Sequence, residues 1–81
     1  MKIKILLFAQ LKEACGQSHL WIDVPVSAKV QDAVDRVMKE SPLGKYSALP
    51  LRYAVNGDFQ PAEGPLKEND CLALLSPVAG G

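Results

Sequence analysis

One segment of the sequence has the spacing of an amphipathic helix, and that segment limits how the rest of the chain can fold. Within residues 30–40 the apolar side chains recur at intervals of three and four, so they share one stripe of a helix. The stripe consists of Val30, Ala33, Val34, Val37 and Met38. On the polar side, Asp32 and Arg36 stand four residues apart and are predicted to form an ion pair. One such stripe in a chain of 81 residues needs one apolar surface to cover it, which favours a single domain.

The two ends of this helix are marked by different residue types. Ser27 is the candidate N-terminal cap, because Lys29, directly before the helix, is a poor capping residue. At the other end, Pro42 and Gly44 predict that the helix stops. Residues 45–50 are then predicted to be loop.

Five short segments have the composition or the alternation of β-strands. They are residues 1–8, 18–24, 51–55, 58–60 and 71–76. In residues 1–8, alternation puts Ile5 on one face of the strand and both Lys4 and Phe8 on the other. In residues 71–76, Leu75 points to the opposite face from its neighbour Leu74. We therefore expect Phe8 and Leu75 to point away from the core.

Two further signals complete the order of elements. Residues 9–15 are helix formers followed by Gly16, which predicts a short helix with a glycine cap, and Asn56-Gly57 predicts a tight turn between two strands. Strand, short helix, strand, helix and then further strands predict an α+β fold of the β-grasp type, a mixed sheet packed on one main helix. Residues 1–76 would form this domain, and residues 77–81 would leave it as an extended tail.

Composition excludes several classes of function. Nine basic and nine acidic side chains cancel, so nucleic acid is not the expected partner, and recognition should rest on apolar contact. The longest apolar run near the start, residues 5–9, is too short for a membrane span or a signal peptide, which predicts a cytoplasmic protein. Cys15 and Cys71 are expected to be reduced thiols, and neither stands at metal-ligand spacing with His19. That single histidine also has no partners for a catalytic triad.

The end of the chain is the one feature that predicts chemistry. Pro77 cannot donate a ladder hydrogen bond, so sheet pairing should stop there, and Val78 and Ala79 lead to Gly80-Gly81. Two terminal glycines occur by chance in about half a per cent of chains. Without Cβ atoms, such an end can lie extended in a narrow channel of a partner enzyme. Once adenylated there, its carboxylate could accept sulfur and become a thiocarboxylate nucleophile.

At this point the sequence resembles the small subunit of molybdopterin synthase, one of the ubiquitin-like sulfur carriers. The resemblance spans essentially the whole chain, in pieces that follow one another in the order and spacing of that family. The pieces are Leu7-Phe8-Ala9 with Leu11 and Glu13, Ala54-Val55-Asn56-Gly57, Pro65-Leu66 with Asn69-Asp70, and Ser76-Pro77-Val78-Ala79-Gly80-Gly81.

The resemblance implies a division of labour between this chain and its partners. Gly81 would be adenylated by an E1-like enzyme that uses ATP, would receive sulfur from a donor protein, and would deliver it to cyclic pyranopterin monophosphate inside the large subunit of a heterotetramer. Gly80 would be its required neighbour, and the small subunit itself would bind no cofactor or metal. The residues implied to face the partner are Phe8, Phe59, Leu75, Pro77, Val78 and Ala79.

Other interpretations stay open from the sequence. A carrier of the same fold could serve thiamin thiazole synthesis or tRNA thiolation, and an inert β-grasp interaction module would not use its tail. An electron-transfer ferredoxin is excluded, because its cluster needs four cysteines and the chain has two. Trp21 is interpreted as a packing residue and His19 as a surface residue.

Overall fold

The architecture is a mixed five-stranded sheet with the main helix packed on one face. A computed structural model describes residues 1–76. Its strands are Lys2–Leu7 (β1), His19–Asp23 (β2), Arg52–Val55 (β3), Asp58–Gln60 (β4) and Cys71–Leu75 (β5). Its helices are Ala9–Cys15 (α1) and Val30–Glu40 (α2), with a 3₁₀ helix at Pro42–Tyr46. The predicted α+β, β-grasp architecture is confirmed, and every strand lies within its predicted segment.

Strands from the two ends of the described chain pair with each other inside the sheet. The strand order is β2-β1-β5-β3-β4, in which β1 and β5 are parallel and the other neighbours are antiparallel. Ile5 lies beside Leu72 and Leu7 beside Leu74 in the parallel pair. Because β5 is flanked by β1 and β3, the chain after Leu75 starts from the centre of the sheet and not from an edge.

The core lies between α2 and one face of the sheet, which we call the inner face. Five of its strand residues are at most 1% exposed (Ile3, Ile5, Leu7, Leu72 and Leu74), and Ile22 and Val55 are 8% exposed. From the helix side, the predicted stripe supplies the buried residues Val30, Ala33, Val34 and Val37, while Met38 is half-buried. Burial of each leucine-sized side chain contributes about 1.5–3 kcal/mol, so this one layer accounts for most of the apolar stabilisation.

The start of α2 differs from the prediction. Lys29 and not Ser27 occupies the cap position, and the Asp32 carboxylate accepts a hydrogen bond from the Lys29 backbone N–H at 2.8 Å. Arg36 pairs with Glu40 at 2.5 Å, so the predicted Asp32–Arg36 ion pair was wrong. A carboxylate in the first turn satisfies a free backbone donor there, which competes with an exposed ion pair of small energy. α2 has 11 residues, and no helix within residues 1–76 is long and apolar enough to cross a membrane.

The connection after α2 is more ordered than predicted. The 3₁₀ helix at Pro42–Tyr46 begins at the proline that was predicted to stop α2, and it ends inside the predicted loop of residues 45–50. Ser41 Oγ accepts from the Leu43 backbone N–H at 3.3 Å, and Leu43 is completely buried. Proline and glycine do stop an α-helix, but both are compatible with one turn of 3₁₀ helix, which here carries a leucine into the core.

Both predicted glycine positions have the expected backbone conformation. Gly16 ends α1 at φ 79° and donates its N–H to the Lys12 carbonyl at 2.9 Å. Asn56 and Gly57 have φ values of 52° and 90°, as a two-residue hairpin turn of type I′ requires. Asn56 also ties this hairpin to β5, because its Oδ1 accepts from the Cys71 N–H at 3.0 Å.

Candidate protein-interaction site

The face of the sheet that points away from α2, called here the outer face, is not covered by any element within residues 1–76. It consists of the strand residues out of phase with the core: Lys2, Lys4, Leu6, His19, Trp21, Asp23, Arg52, Ala54, Phe59, Cys71, Ala73 and Leu75. One row crosses all five strands, because His19, Leu6, Ala73, Ala54 and Phe59 are successive register partners. Exposed apolar side chains grouped on one open face of a small domain usually mark an interface.

The three apolar residues that the resemblance singled out border this face near the end of β5. Phe8 is 46% exposed and Phe59 is 61% exposed, whereas Leu75 is half-buried between its neighbours. Phe8 follows Leu7 and Leu75 follows Leu74, and those two leucines are register partners, so Phe8 and Leu75 each directly follow the same paired position of the sheet. The expected exposure of Phe8 is confirmed, and Leu75 is out of phase with the buried leucines as predicted. Their contact with a partner stays a prediction.

A strained turn places Phe8 beside the end of β5. Ala9 has φ 49°, which lies in the left-handed region that a residue with a Cβ adopts at a cost of about 1–2 kcal/mol. This conformation bends the chain sharply between β1 and α1, so Phe8 stays at the surface while Leu11 enters the core. Gln10, next in the chain, donates from Nε2 to Ser76 Oγ at 3.0 Å. α1 is therefore attached directly to the residue that precedes the tail.

Arg52 is a member of the site that the sequence did not indicate. Its guanidinium lies over the Phe59 ring, 4.3 Å from the centroid, and its register partner on β5 is Leu75. An open groove of about 390 Å³ borders the pair and is lined on its far side by Pro61 and Ala62. An arginine on a short exposed strand has no sequence signal that distinguishes it from an ordinary surface charge. Only the pairing of β3 with both β4 and β5 brings it between two apolar residues.

Trp21 was interpreted as a packing residue, and this was wrong. It is 51% exposed. Its register partner on β1 is Lys4, so its side chain lies on the outer face with Lys4 and not on the inner face with Ile5. His19 is exposed, as predicted. Cys71, also on the outer face, and Cys15 on α1 are half-buried free thiols.

The residues expected to carry the chemistry, Gly80 and Gly81, lie outside the described part of the chain. The same holds for Pro77, Val78 and Ala79, which were expected to face the partner. The structure places the residue before them: Ser76 is 8% exposed and directly follows central strand β5. The predicted division into a domain of residues 1–76 and a tail of residues 77–81 stays a prediction.

Solved structures share this fold over the full length of the chain. SAMP1 from Haloferax volcanii superposes with a TM-score of 0.87 and is 27% identical, and the match covers 100% of both chains. A chain from the protein–protein complex of subunits 1 and 2 of molybdopterin-converting factor from Helicobacter pylori gives a TM-score of 0.71 over 100% of both chains. It is 20% identical, a level at which the likeness concerns the fold alone.

Sequence comparison extends the likeness to the end of the chain. The molybdopterin synthase sulfur carrier subunit of Dictyostelium discoideum is 32% identical over 83 residues, which cover 99% of this chain and 96% of that protein. The model of the ThiS family matches residues 5–81, including the terminal glycines. The chain therefore belongs to the ThiS family, and it is one of the ubiquitin-like sulfur carriers that its sequence resembled.

Proposed function

We propose that this chain is the sulfur carrier subunit of molybdopterin synthase, with Gly81 as the residue that bears sulfur. The observation that supports this most directly is 32% identity, over almost the whole of both chains, to a protein of that name. The chain also ends in Gly80-Gly81, which leaves the terminal carboxylate without side chains to obstruct entry into a partner's channel. Pro77, Val78 and Ala79 would span the distance between the domain and that channel.

The proposed chemistry takes place at one carbonyl carbon. A Gly81 carboxylate oxygen attacks the α-phosphorus of ATP on the E1-like partner, and pyrophosphate leaves. Sulfur at the sulfide level, supplied by the donor protein, then attacks the acyl carbon and displaces AMP, which leaves a thiocarboxylate. In the large subunit its sulfur attacks an oxygen-bearing side-chain carbon of the pyranopterin substrate, the carbon–oxygen bond there breaks, and the oxygen leaves as water or on the phosphate. Water finally cleaves the acyl–sulfur bond, so Gly81 regains its carboxylate and the sulfur stays on the pterin. Two such transfers complete a dithiolene.

In this proposal the domain supplies recognition and reach, and its partners supply ATP binding and catalysis. Phe8 and Leu75 lie where β1 and β5 end, and Phe59 lies on β4 under Arg52, the register partner of Leu75, so a partner that binds all three would hold the tail near its own active site. The Helicobacter pylori structure pairs a chain of the same fold with a second subunit, which supports a large-subunit partner here. Assembly as a heterotetramer and a cytoplasmic location are part of the proposal.

Mass spectrometry of the intact protein tests the proposal. The chain is co-expressed with the E1-like enzyme and the sulfur donor from the same genome, and a gain of one oxygen-to-sulfur exchange at Gly81 is expected. The control is the chain without Gly81, which should keep the thermal unfolding temperature of the parent and show no mass gain. Molybdopterin formation with the large subunit should require the modified form. An unmodified tail under all conditions would contradict the proposal and favour an inert module.

A second candidate function is a protein modifier. SAMP1 is a small archaeal modifier protein, and its 27% identity over the whole of both chains favours this alternative specifically. The same acyl adenylate would then be attacked by a lysine amine instead of sulfur, which gives an isopeptide bond. Tagged chain recovered from its source cells would carry other proteins covalently, and removal of Gly81 would abolish these conjugates. Loss of thiamin or of thiolated tRNA in a deletion strain, with molybdoenzymes unaffected, would instead indicate one of the other carriers.

A further inference from the structure

We propose that Arg52, stacked on Phe59, is a specificity-determining residue that binds a carboxylate on the partner protein covering the outer face. This inference rests on the proposed function, because it concerns the surface by which the carrier is gripped. The residue lies on β3 between two predicted contact residues, with Phe59 under its guanidinium at 4.3 Å and Leu75 opposite on β5. A partner that covers both apolar side chains must also cover the charge between them.

The guanidinium of Arg52 has no anionic partner within residues 1–76. The ion pairs there join Lys2 to Asp23 and Arg36 to Glu40. Arg36 is the informative comparison, because it is the same residue type, exposed on α2, and is neutralised by its own helix. Stacking on an aromatic ring fixes the plane of a guanidinium and leaves its N–H edges free for two parallel bonds to a carboxylate. Arg52 is thus held in position for a partner, and no carboxylate among residues 1–76 pairs with its charge.

The charge of the whole outer face points to the same kind of partner. Its strand residues include the cations Lys2, Lys4 and Arg52 and one carboxylate, Asp23. The whole chain carries no net charge, so this face is positive and the remaining surface is negative. The charges of the chain are therefore distributed unevenly although they sum to zero, and this distribution orients the outer face toward an acidic surface.

The combination of charge and apolar side chains favours a protein as the occupant. A nucleic-acid binder usually has a basic excess, and this chain has nine basic and nine acidic side chains, whereas Arg52 lies between Phe59 and Leu75. Arginine and aromatic residues together are typical of the strongly contributing centre of a protein interface. We therefore assign the occupant as the molybdopterin synthase large subunit, with an aspartate or glutamate beside the apolar pocket that receives Leu75.

Calorimetric titration of the purified large subunit from the same genome tests this assignment. Arg52→Gln is expected to weaken binding by about 10-fold in 0.1 M salt. The reason is that the carboxylate of the large subunit would then be buried in the apolar interface without a cationic partner. Arg52→Lys keeps the charge but not the planar stack, and about a 3-fold loss is expected. The matched control is Arg36→Gln, which removes another exposed arginine, on α2, and should leave affinity unchanged.

The salt dependence and the fold of the variants make the outcome decisive. Affinity of the parent chain should fall as salt is raised, and this dependence should be weaker for Arg52→Gln because one charge contact is missing. Thermal unfolding of each variant establishes that the fold is retained.

If the parent chain binds and transfers sulfur but Arg52→Gln binds equally well, this inference is overturned while the proposed function stands. If the parent chain does not bind the large subunit, the proposed function itself fails. Self-association of the parent that Arg52→Gln abolishes would assign the face to a second copy of the chain and overturn the inference.

Discussion

Both faces of the sheet contain leucines and other apolar residues, but these residues have different physical roles on the two faces. On β5, Leu72 and Leu74 are completely buried against the helix layer, while Leu75 is half-buried on the opposite side. On β1, Ile5 is buried and Leu6, directly after it, is not. The identity of an apolar residue therefore does not distinguish a stabilising contact from a recognition contact in this protein. Its phase along the strand does, because successive side chains point to opposite faces.

The largest difference between the two faces should appear in stability. Leu74→Ala leaves a cavity under α2 and is expected to lower the free energy of unfolding by about 3 kcal/mol. The neighbouring change Leu75→Ala removes the same atoms from the outer face and should cost less than about 1 kcal/mol. Urea denaturation followed by circular dichroism measures both. Equal losses would contradict the separation of roles between the faces.

The outer face should dominate binding instead. Leu75→Ala and Phe59→Ala are each expected to weaken binding to the large subunit by about 10-fold or more, since apolar residues at the centre of an interface contribute most to its affinity. Isothermal titration calorimetry gives the dissociation constants. Val26→Ala is the control, because Val26 is 82% exposed and belongs to no strand of the outer face. Unchanged affinity in both outer-face variants would place the interface elsewhere.

A smaller effect is expected where α1 meets the end of β5. Gln10→Ala removes the hydrogen bond to Ser76 Oγ and should lower the free energy of unfolding by about 1 kcal/mol. Gln17→Ala, at an exposed position between α1 and β2, should change stability by less than about 0.5 kcal/mol. Chemical denaturation of both variants compares them directly. Were Gln10→Ala as stable as the Gln17 control, the contact between α1 and Ser76 would have no structural importance.

Trp21 gives the smallest expected effect and defines how far the interface extends. Trp21, Lys4 and Cys71 are register partners in one row across three strands. On β5, Cys71 lies four residues before Leu75, which is about 13 Å along the strand at about 3.3 Å per residue. Trp21→Ser should therefore change affinity for the large subunit by no more than about 2-fold, and the free energy of unfolding by less than about 0.5 kcal/mol. Calorimetry and denaturation measure the two quantities. A loss as large as that of Leu75→Ala would extend the interface over the whole outer face.

Two of the errors in the sequence-based prediction have a common physical cause. The burial of Trp21 and the loop after α2 were both misjudged, and in each case a local preference was correct but incomplete. A tryptophan in a strand is usually packed, yet the register with β1 gives this one the phase of Lys4. Pro42 and Gly44 do end α2, yet the following turn is short enough to place Leu43 in the core. Neither register nor the path of a connection is a property of adjacent residues.

Local patterns in the sequence were enough to define the elements: the apolar stripe of α2, the alternation of β1 and β5, and the glycine positions of the turns. These depend on helical and strand periodicity and on the conformational freedom of single residues, which act over a few positions. The sequence also contains the terminal glycines on which the proposed chemistry depends. Only the tertiary structure brought Phe8, Arg52, Phe59 and Leu75 together around the end of β5. Their proximity arises from strand pairing between residues far apart in the chain, and no local pattern records which strands become neighbours.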